Sequence, residues 1–388
     1  MPRREFLQKT MLASLPATLA LAGVPMTAAA AAMSSPAMTL SVFIPPTRAR
    51  GSASLNVRDY GAVGNGVMDD TAAFKRAIAA LPSTGGTVNV PDGTYLIDPT
   101  KDVRLRSLMH LKMSSAAVLK AKPNSAERAY VLNALSVSDV EISGGRIVGE
   151  RDQHVGTTGE WGHGIMVRGS NRVTVRDIHI SKCWGDGISI GQTTNSPMVL
   201  SDDVVVANVV CTGNRRQGLS IGGSRNVKVY DSEFSYTKGP LPECGIDIEP
   251  DILGLTTADV VHIQNCRMNH NNKNGLLIYR RVTGVRVLDC TIEHNSGYGI
   301  YSVGPVGGWI ARNKIQHNYY GGVKYTSLTT NYQTSGNTFR NNNTRFFGVR
   351  LTPTPLVAIT GFVAGYGAID RTSDCVNLNV TTNFYSKN

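Results

Sequence analysis

The sequence lacks the features that define three classes of protein. Its six cysteines include no CxxC pair, which argues against a structural zinc site. It contains no zinc-finger or RRM motif, so we expect no nucleic-acid partner although the formal charge is +11. After the first 32 residues no stretch is apolar enough to span a bilayer, so we expect no membrane span in the mature form.

Glycine, by contrast, is abundant, at 40 of the 388 residues. This abundance is typical of a chain with many tight turns rather than long helices. The hydrophobic fraction of 41% and the charged fraction of 17% predict a folded chain. Its length suits one large domain or two ordinary ones.

The first 32 residues resemble a twin-arginine export signal. Arg3 and Arg4 precede an apolar run from Met11 to Val24, and small residues suited to cleavage follow. The resemblance implies a periplasmic or secreted protein, and a soluble N-terminal tail is the alternative. Residues 33–52 would then form a linker.

The positive charge indicates an anionic partner. Residues 1–32 carry a net +2, so about +9 of the total +11 remains on the mature chain. A basic exported protein is suited to binding an anionic polymer. A basic surface that serves only solubility is the alternative.

Seven segments of the middle of the chain align on a glycine, at spacings of 23 to 31 residues. Such variation fits coils of one solenoid with loops of different length. The segments are HGIMVRG (163–169), DGISIGQ (186–192), QGLSIGG (217–223), CGIDIEP (244–250), NGLLIYR (274–280), YGIYSVG (298–304) and GGVKYTS (321–327).

Short Val- and Ile-rich strands with period-two alternation lie between these glycines, and no helix of useful length fits there. Coils of this size, made of strands and turns, predict an all-β parallel β-helix. The stretch 69–81 is the one clear amphipathic helix, with Asp70 or Thr71 as its N-cap, and we expect it to cap the first coil.

A second repeat, CRMNHN, CTIEHN and NKIQHN, precedes three of the glycines. Equal placement in successive coils predicts an amide ladder of Asn271, Asn295 and Asn318. His270, His294 and His317 are expected at turns, with a metal cluster as the alternative.

The stretches LNVRDYGAVGNGVMDDTAAFKRAIAA (55–80) and GGTVNVPDGTYLI (85–97) resemble the N-terminal signature of the pectate-lyase-like β-helix superfamily. With the coils, the resemblance covers residues 53–345 and implies a right-handed parallel β-helix. The superfamily includes polysaccharide lyases, glycoside hydrolases, uronan epimerases and phage tail depolymerases. Residues 346–388 fit no coil and are expected to form a C-terminal cap or extension.

The alternation along each aligned strand predicts which side chains face outward. Residues one and three after the glycine are apolar and should point into the core, so those two and four after it should face solvent. Asp247 and Glu249 then face outward together, and Asp251 follows beyond Pro250 as a helper. Two carboxylates about 6.5–7 Å apart on one strand can hold a glycosidic bond and a water between them.

This spacing predicts an inverting glycoside hydrolase acting on an anionic polysaccharide. Glu249 is the predicted acid, because Tyr279 in the next coil should reduce its solvation, and Asp247 is the predicted base. The placement resembles that of ι-carrageenases, in which acid and base also share one strand. The chain lacks the NTDG and RIK motifs of pectin hydrolases, and GIDIEPD lacks the histidine of the epimerase DPHE motif.

The residues predicted to bind substrate surround this pair. Serines leave room for a ligand, tyrosines can stack on sugar rings, and cations suit an anionic polymer. They are Arg168, Asp186, Ser189, Arg216, Ser220, Tyr279, Arg280, Tyr301 and Lys324.

Three other interpretations of the acidic strand remain open. Asp247 and Glu249 could form a solvated surface pair on a non-catalytic, glycan-binding β-helix. No cofactor is expected, but Asp247, Glu249 and Asp251 could instead bind calcium. A calcium site would favour a lyase or epimerase, with Arg216, Lys273 or Arg280 as base. We expect a monomer or a homotrimer.

Overall fold

The computed structural model describes residues 43–251, 255–347, 355–362 and 367–386, apart from the side chains of Phe346 and Phe347. The predicted export signal, residues 1–32, and the first part of the predicted linker lie outside the described residues.

The strands form three parallel sheets, in which each coil stacks on the next. Sheet 1 contains Ala53–Asn56, Gly86–Val90, Met109–Met113, Ser138–Ser143, Asn171–Ser181, Ser201–Thr212, Ser224–Tyr230, Ala258–Gln264, Val282–Leu288, Val306–Ala311, Thr330–Ser335 and Asn379–Val380. Two of these strands, Asn171–Ser181 and Ser201–Thr212, continue into sheet 2 and join the two sheets.

Sheet 2 otherwise contains Asn65–Asp69, Gly93–Ile97, Ala117–Ala121, Arg146–Val148, Glu233–Ser235, Arg267–Asn269, Thr291–Glu293, Lys314–Gln316, Thr338–Arg340, Asn383–Ser386 and the antiparallel Leu356–Ile359. Sheet 3 contains Arg128–Leu135, Trp161–Arg168, Ile188–Gly191, Leu219–Ile221, Ile246–Ile248, Leu276–Ile278, Tyr298–Val303, Gly321–Thr326 and Ile369–Arg371. Together they make a β-solenoid of about 10 turns, which confirms the predicted parallel β-helix.

The helices are few and short. The predicted N-terminal helix is present as Thr71–Ala79, and its Phe74 and Ala77 are fully buried in the same apolar cluster as the strands. Asp70 does not cap it through its side chain, because that carboxylate accepts hydrogen bonds from the N–H groups of Val63 and Gly64. The other helices are Thr344–Phe347 and the 3-10 turns Val57–Tyr60, Pro99–Lys101 and Arg151–Gln153. No helix in the described part of the chain is long and apolar enough to cross a membrane.

The aligned glycines of sheet 3 are required by the close approach of successive coils. A Cβ atom on Gly218 would lie 2.6 Å from the carbonyl oxygen of Gly245, and one on Gly245 would lie 2.7 Å from that of Gly275. The residues one and three after each glycine are buried, as predicted, with Ile246 and Ile248 both at 0% exposure. The repeated glycine is therefore explained by the contact between successive coils, and the repeated apolar residues by their burial in the core.

The predicted asparagine ladder is confirmed. Asn271 donates to Asn295 over 2.9 Å, Asn295 donates to Asn318 over 3.0 Å, and Asn318 donates to Asn342 over 2.9 Å. A second ladder, through Asn313, Asn337 and Asn383, was not predicted. The stacked rings of His270, His294 and His317 lie at left-handed turn positions, in agreement with the turn interpretation.

Replacement of Asn318 by Ala is expected to lower the free energy of unfolding by about 2 kcal/mol. The buried Oδ1 of Asn318 accepts hydrogen bonds from the backbone N–H and the side-chain amide of Asn295. In the Ala variant both of these buried donors would lose their acceptor. Urea unfolding followed by circular dichroism measures the change. Asn195→Ala, at an exposed loop position, is the control and should be nearly neutral; equal losses in the two variants would rule out a stabilising ladder.

Both ends of the predicted β-helix domain need correction. The prediction placed its end at residue 345, but Ile369–Arg371 pairs in parallel with Gly321–Thr326 and adds a further strand to sheet 3. At the other end, residues 43–50 of the predicted linker pack on the outside of sheet 1. There Phe43 stacks on Tyr230 with ring centroids 3.7 Å apart, and Arg50 pairs with Glu141 over 2.8 Å.

Candidate functional site

One column of outward-facing side chains runs along sheet 3 through the acidic strand. The strand register aligns one residue from each coil, so neighbours in the column belong to adjacent coils about 4.8 Å apart. In chain order the column consists of Asn133, Met166, Ser189, Ser220, Asp247, Leu277, Tyr301, Lys324 and Asp370.

Asp247 faces outward in this column but does not lie in an open trough. It is only 1% exposed, so the prediction that it is accessible is wrong. The side chain of Gln217, from the preceding coil, donates a hydrogen bond of 2.8 Å to Asp247 Oδ2. Gln217 also accepts from the backbone N–H of Cys244, which fixes its position beside the carboxylate.

Asp186 and Arg216 form a buried ion pair next to this acid. Arg216 Nη1 lies 3.0 Å from Oδ1 and 2.9 Å from Oδ2 of Asp186, whose side chain is fully buried. Ser220 donates to Asp186 Oδ2 over 2.8 Å, and its Oγ lies 3.1 Å from that of Ser189, whose hydroxyl can donate to it. Four predicted substrate-binding residues are thus brought together, but most of their polar atoms are occupied by one another.

His163 extends this network toward the N-terminal coils. Its Nδ1 accepts from the backbone N–H of Asp186 over 3.0 Å and lies 3.5 Å from the carboxylate. Burial lowers the pKa of His163 to about 4, although Asp186 opposes the shift, so the imidazole is neutral near pH 7. Its contact with Asp186 is therefore not an ion pair at that pH.

Arg216 couples the carboxylates of the site electrostatically. Burial would lower the pKa of Arg216, but Asp186, Asp247 and Glu249 outweigh it, and the pKa is raised. Glu160 also contributes. The guanidinium thus remains charged among several acids, which reduces their mutual repulsion.

Glu249 is the partly exposed member of the predicted catalytic pair. Its backbone N–H continues the sheet by donating to Ile221. Burial raises the pKa of Tyr279, and Glu249 adds to that shift, which places the phenol in the field of the carboxylate. Asp251 is also partly exposed, beyond the end of the strand.

Apolar and aromatic side chains cover the outside of sheet 3 on the C-terminal side of Glu249. Leu277, Tyr279, Val303 and Cys244 form an apolar cluster separate from the core, with Tyr301 packed against it. Tyr301 also stacks on Tyr298, with centroids 5.4 Å apart. Tyr279 is buried, at 8% exposure, so the partly exposed Tyr298 and Tyr301 are the rings on which a sugar could stack.

Of the predicted cations, Arg216 lies beside the acidic pair, Arg280 and Lys324 lie on the side of the tyrosines, and Arg168 lies three coils to the N-terminal side. Arg280 is exposed and lies 5.9 Å from the centre of the Tyr279 ring, while Arg168 and Lys324 are partly exposed. Lys324 forms an ion pair with Asp370 of the next coil. Within the described residues, no group of three or more His, Cys, Asp or Glu side chains is arranged to hold a metal ion.

Sequence reasoning missed several members of the site. Gln217 was visible only as the residue before a glycine, and nothing in the alternation showed that it would reach Asp247. Glu160 lies in a loop between sheets, outside the aligned segments. Tyr298 also precedes a glycine, and its ring stacks on that of Tyr301 in the same strand.

Two curated proteins and one solved structure illustrate what the chain resembles. Uncharacterized protein YclG of Bacillus subtilis is 29% identical over 270 residues, covering 63% of this chain and 44% of YclG. Iota-carrageenase of Alteromonas macleodii is 30% identical over 100 residues, covering 25% of this chain and 20% of that enzyme. The chain spans less than half the length of either relative.

The mannuronan C-5 epimerase AlgE4 A-module of Azotobacter vinelandii has a similar fold. It superimposes with a TM-score of 0.60 at 18% identity, covering 84% of this chain and 95% of the module. At that identity the likeness concerns the fold alone.

Two family models match the chain directly. The model described as "Rhamnogalacturonase A/epimerase, pectate lyase-like" matches residues 54–142. The model described as "Right handed beta helix region" matches residues 110–250 and 251–383, well over half of the chain. The N-terminal match agrees with the resemblance of residues 55–97 to the pectate-lyase-like signature, and the chain as a whole belongs to the right-handed β-helix family.

Proposed function

We propose that this protein is an exported glycoside hydrolase that cleaves an anionic polysaccharide on sheet 3, at the strand Ile246–Ile248. The observation that carries the proposal is the placement of Glu249. It is partly exposed, follows buried Asp247 by two residues, and lies between a small-residue surface and a tyrosine-rich one.

In the proposed reaction, Glu249 donates a proton to the leaving glycosidic oxygen. Tyr279 and the apolar cluster beside it limit the water on the C-terminal side of this carboxyl group. An accessible carboxyl group is required for this step, and Glu249 meets that requirement better than Asp247. The acid step thus fits the geometry without any movement of the backbone.

The proposed base, Asp247, must gain access to water. Its carboxylate is held by Gln217, so substrate binding would have to displace that amide before Asp247 could activate a water molecule. Asp247 is one of the acids that raise the pKa of Arg216, so this carboxylate interacts electrostatically with a charged guanidinium. Glu160 and Asp251, both partly exposed, are the alternative bases on this surface.

A lyase or C5-epimerase is the second candidate, and the cations favour it. Arg280 and Lys273 could neutralise a uronate carboxylate or accept its α-proton, whereas Arg216 stays charged beside Asp186 and is not suited to be the base. The fold of the AlgE4 module is compatible with such chemistry, but GIDIEPD has Glu249 and no histidine in place of the epimerase motif. Calcium would also belong to this candidate, but the described side chains of Asp247, Glu249 and Asp251 are not grouped to hold an ion.

The test is digestion of a panel of polygalacturonate, alginate, ι-carrageenan and neutral dextran by the wild-type protein. We expect new reducing ends from one of the anionic polymers, without ultraviolet absorbance from unsaturated products, and unchanged rates in EDTA. Unsaturated products would establish the lyase instead. Epimerised polymer without chain cleavage, seen by NMR, would establish the epimerase, and retention in an affinity gel without any product would indicate a binding protein.

A further inference from the structure

A basic cleft lies away from sheet 3, where sheets 1 and 2 meet on the N-terminal coils. Its volume is about 470 Å³, within the range of roughly 300–1,000 Å³ typical of ligand pockets. The residues that define the basic cleft here are Lys112, Ser143, Arg146, Arg176, His179 and Asn208.

Two aligned columns of outward residues form its walls. Lys112, Ser143 and Arg176 are register partners on sheet 1, one from each of three successive coils. Arg146 and His179 are register partners at the start of sheet 2. Lys112 and Arg176 therefore lie two coils apart, about 9.6 Å along their column, and Arg146 lies in the other column on the coil between them.

Two cations of the basic cleft are not neutralised by acidic side chains of the described residues. Lys112 and Arg146 are exposed, and neither forms an ion pair with any described residue. Arg176 is held by buried Glu141, at 2.6 Å and 2.8 Å, and by Asp177 at 2.5 Å. Asp177 is the one acid among the lining residues of the described cleft, so the two exposed cations remain unpaired.

Neutral hydrogen-bonding groups accompany these cations. Burial and neighbouring Arg146 lower the pKa of His179, so its imidazole is neutral near pH 7. The buried Nδ1 of His179 has no hydrogen-bond partner among the described residues. Asn208 is exposed at the rim and can bond a hydroxyl group.

We propose that the basic cleft is a second, non-catalytic binding site for an acidic sugar unit of an anionic polysaccharide. Lys112 and Arg146 bind its carboxylate or sulfate, and Asn208 and His179 bind its hydroxyl groups. The site shares its ligand class with the proposed function but lies on other sheets. Failure of the cleft to bind a polyanion would therefore leave the proposed cleavage on sheet 3 untouched, and failure of cleavage would leave binding at the cleft untouched.

Lysine footprinting tests this proposal on the wild-type protein. The protein is acetylated briefly with and without alginate, polygalacturonate or ι-carrageenan, and the modified lysines are quantified by mass spectrometry. We expect at least one polyanion to slow acetylation of Lys112 several-fold but to leave Lys228 unprotected. Lys228 is exposed on sheet 1, four coils from Lys112 and one coil beyond Asn208, and serves as the internal control. Equal protection of both lysines, or none at Lys112 with any polyanion, would overturn the proposal.

A pair of matched variants gives a second readout. Lys112→Ser/Arg146→Ser should raise the Kd for the protecting polyanion about tenfold, since each exposed contact contributes up to about 1 kcal/mol. Lys228→Ser/Arg286→Ser removes the same charge from exposed positions of sheet 1 and should change the Kd less than twofold. Equal weakening by both variants would show a general charge effect and contradict a cleft site. Neither variant should change cleavage of a short oligosaccharide.

Discussion

Replacement of Glu249 by Gln is expected to lower kcat at least 10²-fold on the polymer that the wild-type protein cleaves, because general acid catalysis contributes about 10²–10⁴-fold. The amide keeps the size and most of the contacts of the carboxyl group but cannot donate its proton to the leaving oxygen. KM should change little, since the cations and tyrosines that we propose to bind substrate are untouched. Steady-state rates of reducing-end release measure both constants.

Glu127→Gln is the matched control, because Glu127 is exposed and precedes the first strand of sheet 3 outside the acidic site. It should retain wild-type kcat. Full activity of Glu249→Gln would exclude Glu249 as the acid, whatever the other variants do. A loss confined to KM would instead assign Glu249 to substrate binding.

The substitution Asp247→Asn tests the role of Asp247 separately from that of Glu249. The substitution keeps a side chain that can accept from Gln217, so the fold should be retained. If Asp247 is the base, kcat falls about as far as in Glu249→Gln. Retained activity would transfer the role to Glu160 or Asp251, the partly exposed acids nearby.

The coil architecture could be predicted because the physical constraint is periodic. A glycine is needed wherever one coil approaches the next, and an apolar residue wherever the strand faces the core, so both recur at coil spacing. Asn271, Asn295 and Asn318 recur for the same reason, since an amide ladder needs one member in each coil. The end of the β-helix was misplaced because an insertion separates Lys324 from its register partner Asp370 by 46 residues.

The environment of the site could be predicted only in part. Alternation within a strand placed Asp247 and Glu249 outward, but exposure also depends on side chains that reach over from turns. Gln217 and Arg216 precede the strand Leu219–Ile221, where period two no longer applies. Their lengths and directions, rather than the pattern of the strand, decide that Asp247 is buried.

Removal of the buried cation is expected to destabilise the protein more than any other substitution considered. Arg216→Met would leave Asp186 buried without its ion-pair partner, and breaking a buried pair in this way costs about 3–5 kcal/mol. The side chain of Arg216 is only 7% exposed, so water cannot readily replace it. Urea unfolding followed by circular dichroism should show a clear fall in midpoint.

The double variant Arg216→Met/Asp186→Asn decides whether charge is the cause. Because it removes both members of the pair, it should recover much of the stability lost in Arg216→Met alone. Arg225→Met is the control, because it removes one member of an ion pair at the surface. Arg225 and Asp202 are 3.4 Å apart, and their side chains are 57% and 29% exposed, respectively. Arg225→Met should lower the free energy of unfolding by less than about 1 kcal/mol. If the double variant were no more stable than Arg216→Met, the loss would come from packing, and the ion pair would not be what stabilises this part of sheet 3.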